Sequence, residues 1–87
     1  MKTYRILVNS TATVLVPVDN INRPVWLDLE ENATIYVGNS NVTVAEGFPL
    51  RKLTQPLQGA LGVGDGLWAI TDHLGGVHVR VITSDPD

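Results

Sequence analysis

Several short segments of this 87-residue chain place aliphatic residues at every second position, with mostly polar residues between them. In residues 24–30 these positions are Val25, Leu27 and Leu29, and in residues 77–82 they are Val77, Val79 and Val81. Successive side chains of a β-strand point to opposite faces of a sheet, so this pattern predicts strands with one buried and one exposed face. The alternation therefore constrains the chain to a sheet-based fold.

Turn-forming residues separate these segments at intervals of about 8–12 residues. They include residues 19–22, the Glu31-Asn32 pair, the glycine-rich residues 62–66 and residues 72–76. In residues 50–61, leucines recur at nearly helical spacing, but Pro49 precedes them and Pro56 and Gly59 interrupt them, so we expect an irregular connection with one short strand. The sequence predicts an all-β fold: a small β-sandwich or jelly-roll-like barrel of about seven or eight short strands.

Residues 32–53 form the centre of this predicted arrangement. We expect a strand over residues 33–37, a turn at Gly38-Asn39, a short strand over residues 41–45, and a break at Gly47. Glycine adopts backbone angles that other residues avoid, so Gly38 and Gly47 are predicted to supply them. Phe48-Pro49-Leu50 is then predicted to close one end of the sandwich. A further prediction is that Val14 and Val16 share one strand face, opposite Leu15.

The totals predict one all-β domain over residues 1–87, with residues 1–10 as a first strand or an interacting arm and residues 84–87 as a frayed tail. The chain has no cysteine, so disulfides cannot supplement its small core. Charged residues are 17% of the chain, against about 25% in an average soluble domain. A surface with so little charge indicates that a partner covers part of it, and we expect a homo-oligomer.

Charge and hydropathy exclude two classes of partner. The net charge is −3 and the basic residues are scattered except for Arg51-Lys52, which argues against a nucleic-acid groove. No apolar run approaches the roughly 20 residues of a membrane-spanning helix. We therefore expect neither nucleic acid nor membrane as a partner.

No catalytic constellation stands out in the sequence. His73 and His78 could form a metal pair completed by Asp72 or Asp65, but catalytic zinc needs three protein ligands at suitable spacing. Asp28, Glu30 and Glu31 are predicted to be solvated rather than paired for acid–base chemistry, and no serine lies in a nucleophile elbow. We expect a protein without enzymatic activity, metal or other cofactor.

The aromatic residues are the candidate binding residues. Two readings remain open for them: a curled sandwich buries both faces of some strands, or the aromatics anchor a subunit interface, where such residues are enriched. The low charge content favours the second reading. The candidate interface residues are Tyr4, Trp26, Tyr36, Phe48 and Trp68.

A series of short motifs spans most of residues 24–82. The motifs are Ile35-Tyr36-Val37-Gly38, Val42-Thr43, Gly47-Phe48-Pro49-Leu50, Leu67-Trp68-Ala69-Ile70 and Val79-Arg80-Val81. In these residues the chain resembles a class of small structural proteins of tailed bacteriophages, in which a VYVGGS-x-VT-x-x-x-GFPL segment precedes a leucine-rich stretch, then LYAI and a final VRVL. The motif consists of turn and core residues, so it bears on fold more than on role.

This resemblance implies a capsid decoration (cement) protein, which would stabilise the phage head by binding the major capsid protein as a trimer. Such a protein would be made in the bacterial host cytoplasm and lie on the outer capsid surface of the virion. The alternative is a tail or head-fibre appendage module for host-surface or carbohydrate binding. It would use Trp26, Trp68 or Tyr36 to stack on sugar rings.

Overall fold

The computed structural model describes residues 2–18, 22–52 and 57–83, and within these ranges the chain forms β-strands and no helix. The all-β prediction is therefore confirmed, and no helix of the described residues is long and apolar enough to cross a membrane. The predicted turn at residues 19–21 and the predicted tail at residues 84–87 lie outside the described residues. The strands are β1 Lys2–Val8, β2 Thr13–Val16, β3 Arg23–Leu29, β4 Thr34–Gly38, β5 Phe48–Arg51, β6 Leu57–Leu61, β7 Leu67–Ile70 and β8 Val77–Thr83.

The strands form two antiparallel sheets of four strands each. The first sheet has the order β1-β8-β3-β6 and the second has the order β2-β7-β4-β5. The pairing is nested, because β1 pairs with β8, β2 with β7, β3 with β6, and β4 with β5. These two sheet orders are those of an eight-stranded jelly roll, in which one long hairpin of four strand pairs winds into two sheets.

The core lies between the two sheets, and the alternating segments supply much of it. Val25, Leu27 and Leu29 of β3 are each no more than 4% exposed, and the three valines of β8 are buried with them. The intervening residues of β3 and β8 are exposed or half-buried on the outer face of the first sheet. The prediction of buried and exposed faces is confirmed for both strands.

Strand β2 departs from simple alternation. Val14 is 39% exposed, whereas the consecutive residues Leu15 and Val16 are both buried. The register of β2 against β7 shifts between Val14 and Val16, which is the mark of a β-bulge. A bulge inserts a residue and re-aims the side chains that follow it. The predicted common face of Val14 and Val16 is therefore wrong.

Residues 41–45 are not a strand, and this prediction is also wrong. They belong to a loop in which the Gly47 N–H donates to the Thr43 carbonyl at 2.7 Å and Val42 N–H donates to the Asn39 carbonyl at 3.0 Å. Val42 is 8% exposed, so the loop buries an apolar side chain of its own. The next strand, β5, begins instead at Phe48.

Gly38 and Gly47 provide space rather than special backbone angles. Among the described residues, only Gly64, Gly75 and Gly76 have positive φ. A Cβ atom at Gly47 would lie 2.7 Å from the Tyr36 Cβ and 2.8 Å from a Val42 methyl group. The glycine therefore permits the loop to pack closely on β4, and the predicted role in backbone angle is wrong.

Buried polar contacts join the first sheet to strand β2, which ends the second sheet beside β1, and to the chain on either side of the strand ends. The Tyr4 hydroxyl on β1 donates to the Leu15 carbonyl on β2, and burial raises the pKa of this hydroxyl. Arg23, which is 4% exposed, donates from β3 to the Pro17 carbonyl at 2.8 Å and to the Asp65 carbonyl at 2.7 Å. These bonds join the first sheet to the chain that follows β2 and precedes β7.

Candidate functional site

The opposite side of the sandwich, where β5 and β6 end the two sheets, contains an apolar groove. The groove has a volume of about 190 Å³ and lies between the two edge strands. Among the described residues, its lining contains no charged residue and no polar side chain. The lining residues are Val25, Leu27, Val37, Phe48, Leu50, Gly59, Ala60, Leu61 and Leu67.

Strand register explains why the groove opens into the core. Phe48 pairs with Val37 and Leu50 pairs with the fully buried Ile35, so Phe48 and Leu50 stand on the inward face of β5. Residues that pair directly across a sheet share a face. Phe48 is nevertheless 67% exposed. The described residues of the first sheet therefore leave most of this inward-facing aromatic side chain uncovered.

The missing cover coincides with a glycine on β6. Gly59 pairs with the buried Val25, so it occupies an inward position of the strand. A Cβ atom at Gly59 would meet no other atom within 4 Å. Glycine inside a strand weakens it and often marks a place where another chain or a ligand comes close. The position where a side chain would cover this part of the groove is empty.

A second concave surface lies on the outer face of the first sheet, and we call it the Trp26 hollow. It has a volume of about 400 Å³, and small-molecule sites occupy about 300–1,000 Å³. Two rows of cross-strand neighbours form its floor, with Trp26 beside Ile82 in one and Asp28 beside Arg80 in the other. The hollow is lined by Thr3, Tyr4, Arg5, Trp26, Leu27, Asp28, Arg80, Val81 and Ile82.

Glu30 holds the two arginines at the edge of this hollow. Its carboxylate accepts from the Arg5 Nε at 2.6 Å and from the Arg80 Nε at 3.0 Å. The hydrogen bond from Arg5 is the main reason that the pKa of Glu30 lies below its ordinary value. Asp28 is the direct neighbour of Arg80 across the sheet. It has no ion-pair or hydrogen-bond partner among the side chains that the structure describes.

Glu31 and His78 form a separate contact beside this cluster. The Glu31 carboxylate lies 2.6 Å from the His78 Nδ1 and accepts from the His78 backbone N–H at 2.6 Å. These hydrogen bonds lower the pKa of Glu31. The contact fixes the turn after β3 to strand β8. Glu30 and Glu31 thus make ion pairs and are not simply solvated, which corrects the sequence interpretation.

His73 and His78, the two histidines of the possible metal pair, lie in different surroundings. His78 contacts Glu31, whereas His73 lies exposed in the turn before β8. Asp65 contributes a backbone carbonyl to Arg23. Within the described ranges, no group of three or more His, Cys, Asp or Glu side chains could hold a metal ion.

The five candidate interface aromatics do not form a single patch. Tyr4 bonds to β2, Trp26 stands on the outer face of the first sheet, and Phe48 borders the groove. Tyr36 and Trp68 share the outer face of the second sheet, since they pair with Ile70 and Gly38. All except Phe48 are half-buried.

Sequence reasoning missed the groove, although one signal for it was present. Gly59 was interpreted as a breaker within an irregular connection, whereas it lies inside β6. A glycine opposite a buried valine leaves a gap only if the two strands pair in that register. The register depends on contacts between residues far apart in sequence, so the local pattern does not show it.

No protein-family model matches the chain, and neither a curated protein nor a solved structure matches it significantly. The apolar groove and the Trp26 hollow are the two candidate binding surfaces of the described residues.

Proposed function

We propose that this protein is a non-enzymatic structural module of a phage virion, a capsid decoration protein that forms a trimer and binds the major capsid protein. The observation that supports an assembly role is Phe48, an inward-facing aromatic residue that is 67% exposed over an apolar groove. Exposed apolar surface of this kind marks protein interaction sites. The phage assignment is supported by the motif resemblance.

The occupant of the groove in this proposal is a sister subunit. An apolar side chain of the neighbouring copy would fill the space above Gly59 and cover Phe48. The groove lies between the edge strands β5 and β6, and an edge strand can also pair its free backbone groups with another chain. Because the described lining residues carry no charge, burial of apolar surface drives the contact and moderate salt leaves it intact.

The fold agrees with this role without determining it. Eight-stranded jelly rolls occur in viral capsid and lectin domains, and a fold alone does not define a function. The low proportion of charged residues, 17%, agrees with a surface that is partly covered in an assembly.

The mass of the purified protein in solution tests the oligomer. Light scattering after size-exclusion chromatography at micromolar concentration is expected to give three times the chain mass of 9.4 kDa. Phe48→Asp places a charge in the groove and is expected to give monomers. Leu74→Asp is the matched control, because Leu74 is 96% exposed and does not line the groove. A monomeric wild-type protein, or equal effects of the two variants, would contradict the proposal.

The abundance of the protein in purified virions tests the capsid role. A decoration protein is expected at a copy number comparable with that of the major capsid protein, measured by quantitative mass spectrometry. A far lower copy number would favour the appendage role instead, and absence from the particle would exclude both. A virion reconstruction would then locate the bound subunits.

A further inference from the structure

We propose that the Trp26 hollow is a binding site for a neutral saccharide. This inference does not depend on the capsid role, because it concerns the outer face of the first sheet and not the groove. It rests on the side chains that line the hollow and on their hydrogen-bonding capacity.

The hollow offers an apolar platform of suitable shape. Trp26 pairs with Ile82 on β8, and Ile82 pairs with Thr3 on β1, so these three side chains form one row across three strands. Arg5, Arg80 and Asp28 form the adjacent row. With strands about 4.8 Å apart and two residues along a strand spanning about 7 Å, the floor measures roughly 10 by 7 Å. An indole within such a floor can stack against the C–H face of a pyranose ring.

The second row supplies complementary polar groups. Asp28 is half-buried, and its carboxylate is free to accept hydrogen bonds within the described part of the chain. Arg80 uses Nε for Glu30 and keeps its Nη amino groups free to donate among the described residues. A sugar hydroxyl both donates and accepts, so a vicinal pair of hydroxyls could bond to Asp28 and Arg80 together.

Electrostatics favour a neutral ligand. Two arginines, Arg5 and Arg80, face two carboxylates, Asp28 and Glu30, so the charges of the cluster cancel. A polyanion gains nothing from a site without net positive charge. Neutral hydroxyls, in contrast, can use one acidic and one basic group at the same time.

Glu30 prepares the site for binding. Its ion pairs with Arg5 and Arg80 hold both guanidinium groups at the edge of the hollow. All of these residues lie on or directly after paired strands of one sheet. Sites on paired strands hold their side chains more rigidly than sites on loops, so little order has to be gained on binding.

Trp68 lacks these features and provides the control. Its ring packs against Gly66, because a Cβ atom added at Gly66 would lie 2.7 Å from the indole. The same added atom would lie 3.0 Å from a methyl group of Val18. Its cross-strand neighbours are Val14 and Gly38, which supply no polar side chain. A saccharide should therefore shift the indole signal of Trp26 and leave that of Trp68 in place.

Proton–nitrogen NMR of the wild-type protein tests this inference, because each tryptophan indole gives its own signal. The probes are glucose, galactose, mannose, N-acetylglucosamine and their neutral disaccharides, each titrated singly. At least one is expected to shift the Trp26 indole saturably with a Kd of about 1 mM or tighter. Absence of a saturable Trp26 shift with every probe would overturn the proposal, as would stronger binding of choline at the same residue.

Three variants assign the binding to named groups. Trp26→Phe keeps a ring and is expected to weaken the affinity severalfold, while Asp28→Asn removes a charged acceptor and is expected to weaken it about tenfold. Trp68→Phe is expected to leave the affinity unchanged. The NMR spectrum of each variant shows whether it is folded. Unchanged affinity in folded Trp26→Phe and Asp28→Asn would overturn the assignment, and so would loss in Trp68→Phe.

Discussion

The two sides of the sandwich, where the sheets end, are built in different ways. On the β1–β2 side, the Tyr4 hydroxyl reaches between the sheets to the Leu15 carbonyl. Arg23, at the start of β3, adds bonds to the carbonyls of Pro17, just after β2, and Asp65, just before β7. On the β5–β6 side, every described residue that lines the groove is apolar. The polar groups of the β1–β2 side bond to backbone carbonyls of the same chain, whereas the β5–β6 side leaves the inward-facing Phe48 exposed.

This difference shows which side can accept a partner. A partner that entered the β1–β2 side would have to break buried hydrogen bonds, and a buried polar group without a partner costs about 1–3 kcal/mol. A partner that enters the groove removes apolar surface from water and breaks no hydrogen bond of the described lining residues' side chains. The sides should therefore respond oppositely to substitution: changes on the first should reduce monomer stability, and changes on the second should alter assembly.

The largest expected effect comes from truncating the core next to the β1–β2 side. Leu15 is 1% exposed, so Leu15→Ala should lower the free energy of unfolding by about 3 kcal/mol. Phe48→Ala removes a larger side chain that is 67% exposed, and it should cost the monomer less than about 1 kcal/mol. Urea unfolding of both variants, at concentrations where the wild type is monomeric, measures the contrast. Similar losses would mean that the groove is closed in solution.

A somewhat smaller effect is expected from the buried arginine. Arg23→Met keeps an apolar stem but removes the donors to two carbonyls, so we expect a loss of about 2 kcal/mol. Nε of Arg23 has no partner within the described residues, so its removal costs no further bond. Arg51→Met on the exposed edge strand β5 is the matched control and should change stability by less than about 0.5 kcal/mol. Equal losses would show that the hydrogen bonds of Arg23 to Pro17 and Asp65 do not stabilise the fold.

The residues that sequence reasoning placed well are those for which local pattern and tertiary environment agree. In β3 and β8, alternate residues face the core along the whole strand, so the two-residue period is sufficient. Residues 41–45 alternate in the same way, yet Val42 packs near Gly38 and Gly47 on the outer face of the second sheet. Crowding that only glycines permit overrides the strand pattern there.

Neither concave surface could be derived from the sequence alone. The groove requires Gly59 to pair with Val25, and the Trp26 hollow requires β3 to lie beside β8. These pairings join residues far apart in the chain, so they depend on the sheet order and not on local propensity. The outward direction of Trp26 was predictable, but its place beside Ile82 was not.

A third prediction, of opposite sign, concerns Gly59. Gly59→Val adds a side chain where no atom lies within 4 Å, and it replaces a glycine whose φ is not positive. The monomer should gain about 1 kcal/mol, because glycine loses more conformational freedom on folding than other residues. The same side chain fills the groove, so the oligomer should dissociate. A variant that is more stable and still trimeric would show that the groove is not the subunit contact.

The smallest expected effect is a dependence on pH that affects one face of the first sheet and not the groove. The pKa values of Glu30 and Glu31 are lowered from the ordinary value of 4.5, chiefly by hydrogen bonds from Arg5 and from His78. A carboxyl group with a lowered pKa in the folded protein adds stability above its unfolded pKa, and this stability is lost as the pH falls through the folded pKa. Since both groups remain partly open to solvent, the change should be small.

Comparison of two variants separates this effect from general acid unfolding. The stability difference between wild type and Glu31→Gln should be largest near neutral pH and should shrink as the pH falls below about 4.5. The gain from Gly59→Val should stay constant over the same range, because none of the described residues that line the groove has a titratable side chain. Urea unfolding from about pH 7 to pH 3 measures both differences. A pH-dependent gain at Gly59 would show that the groove is coupled to the charged face, whereas a constant gain shows that the two surfaces act independently.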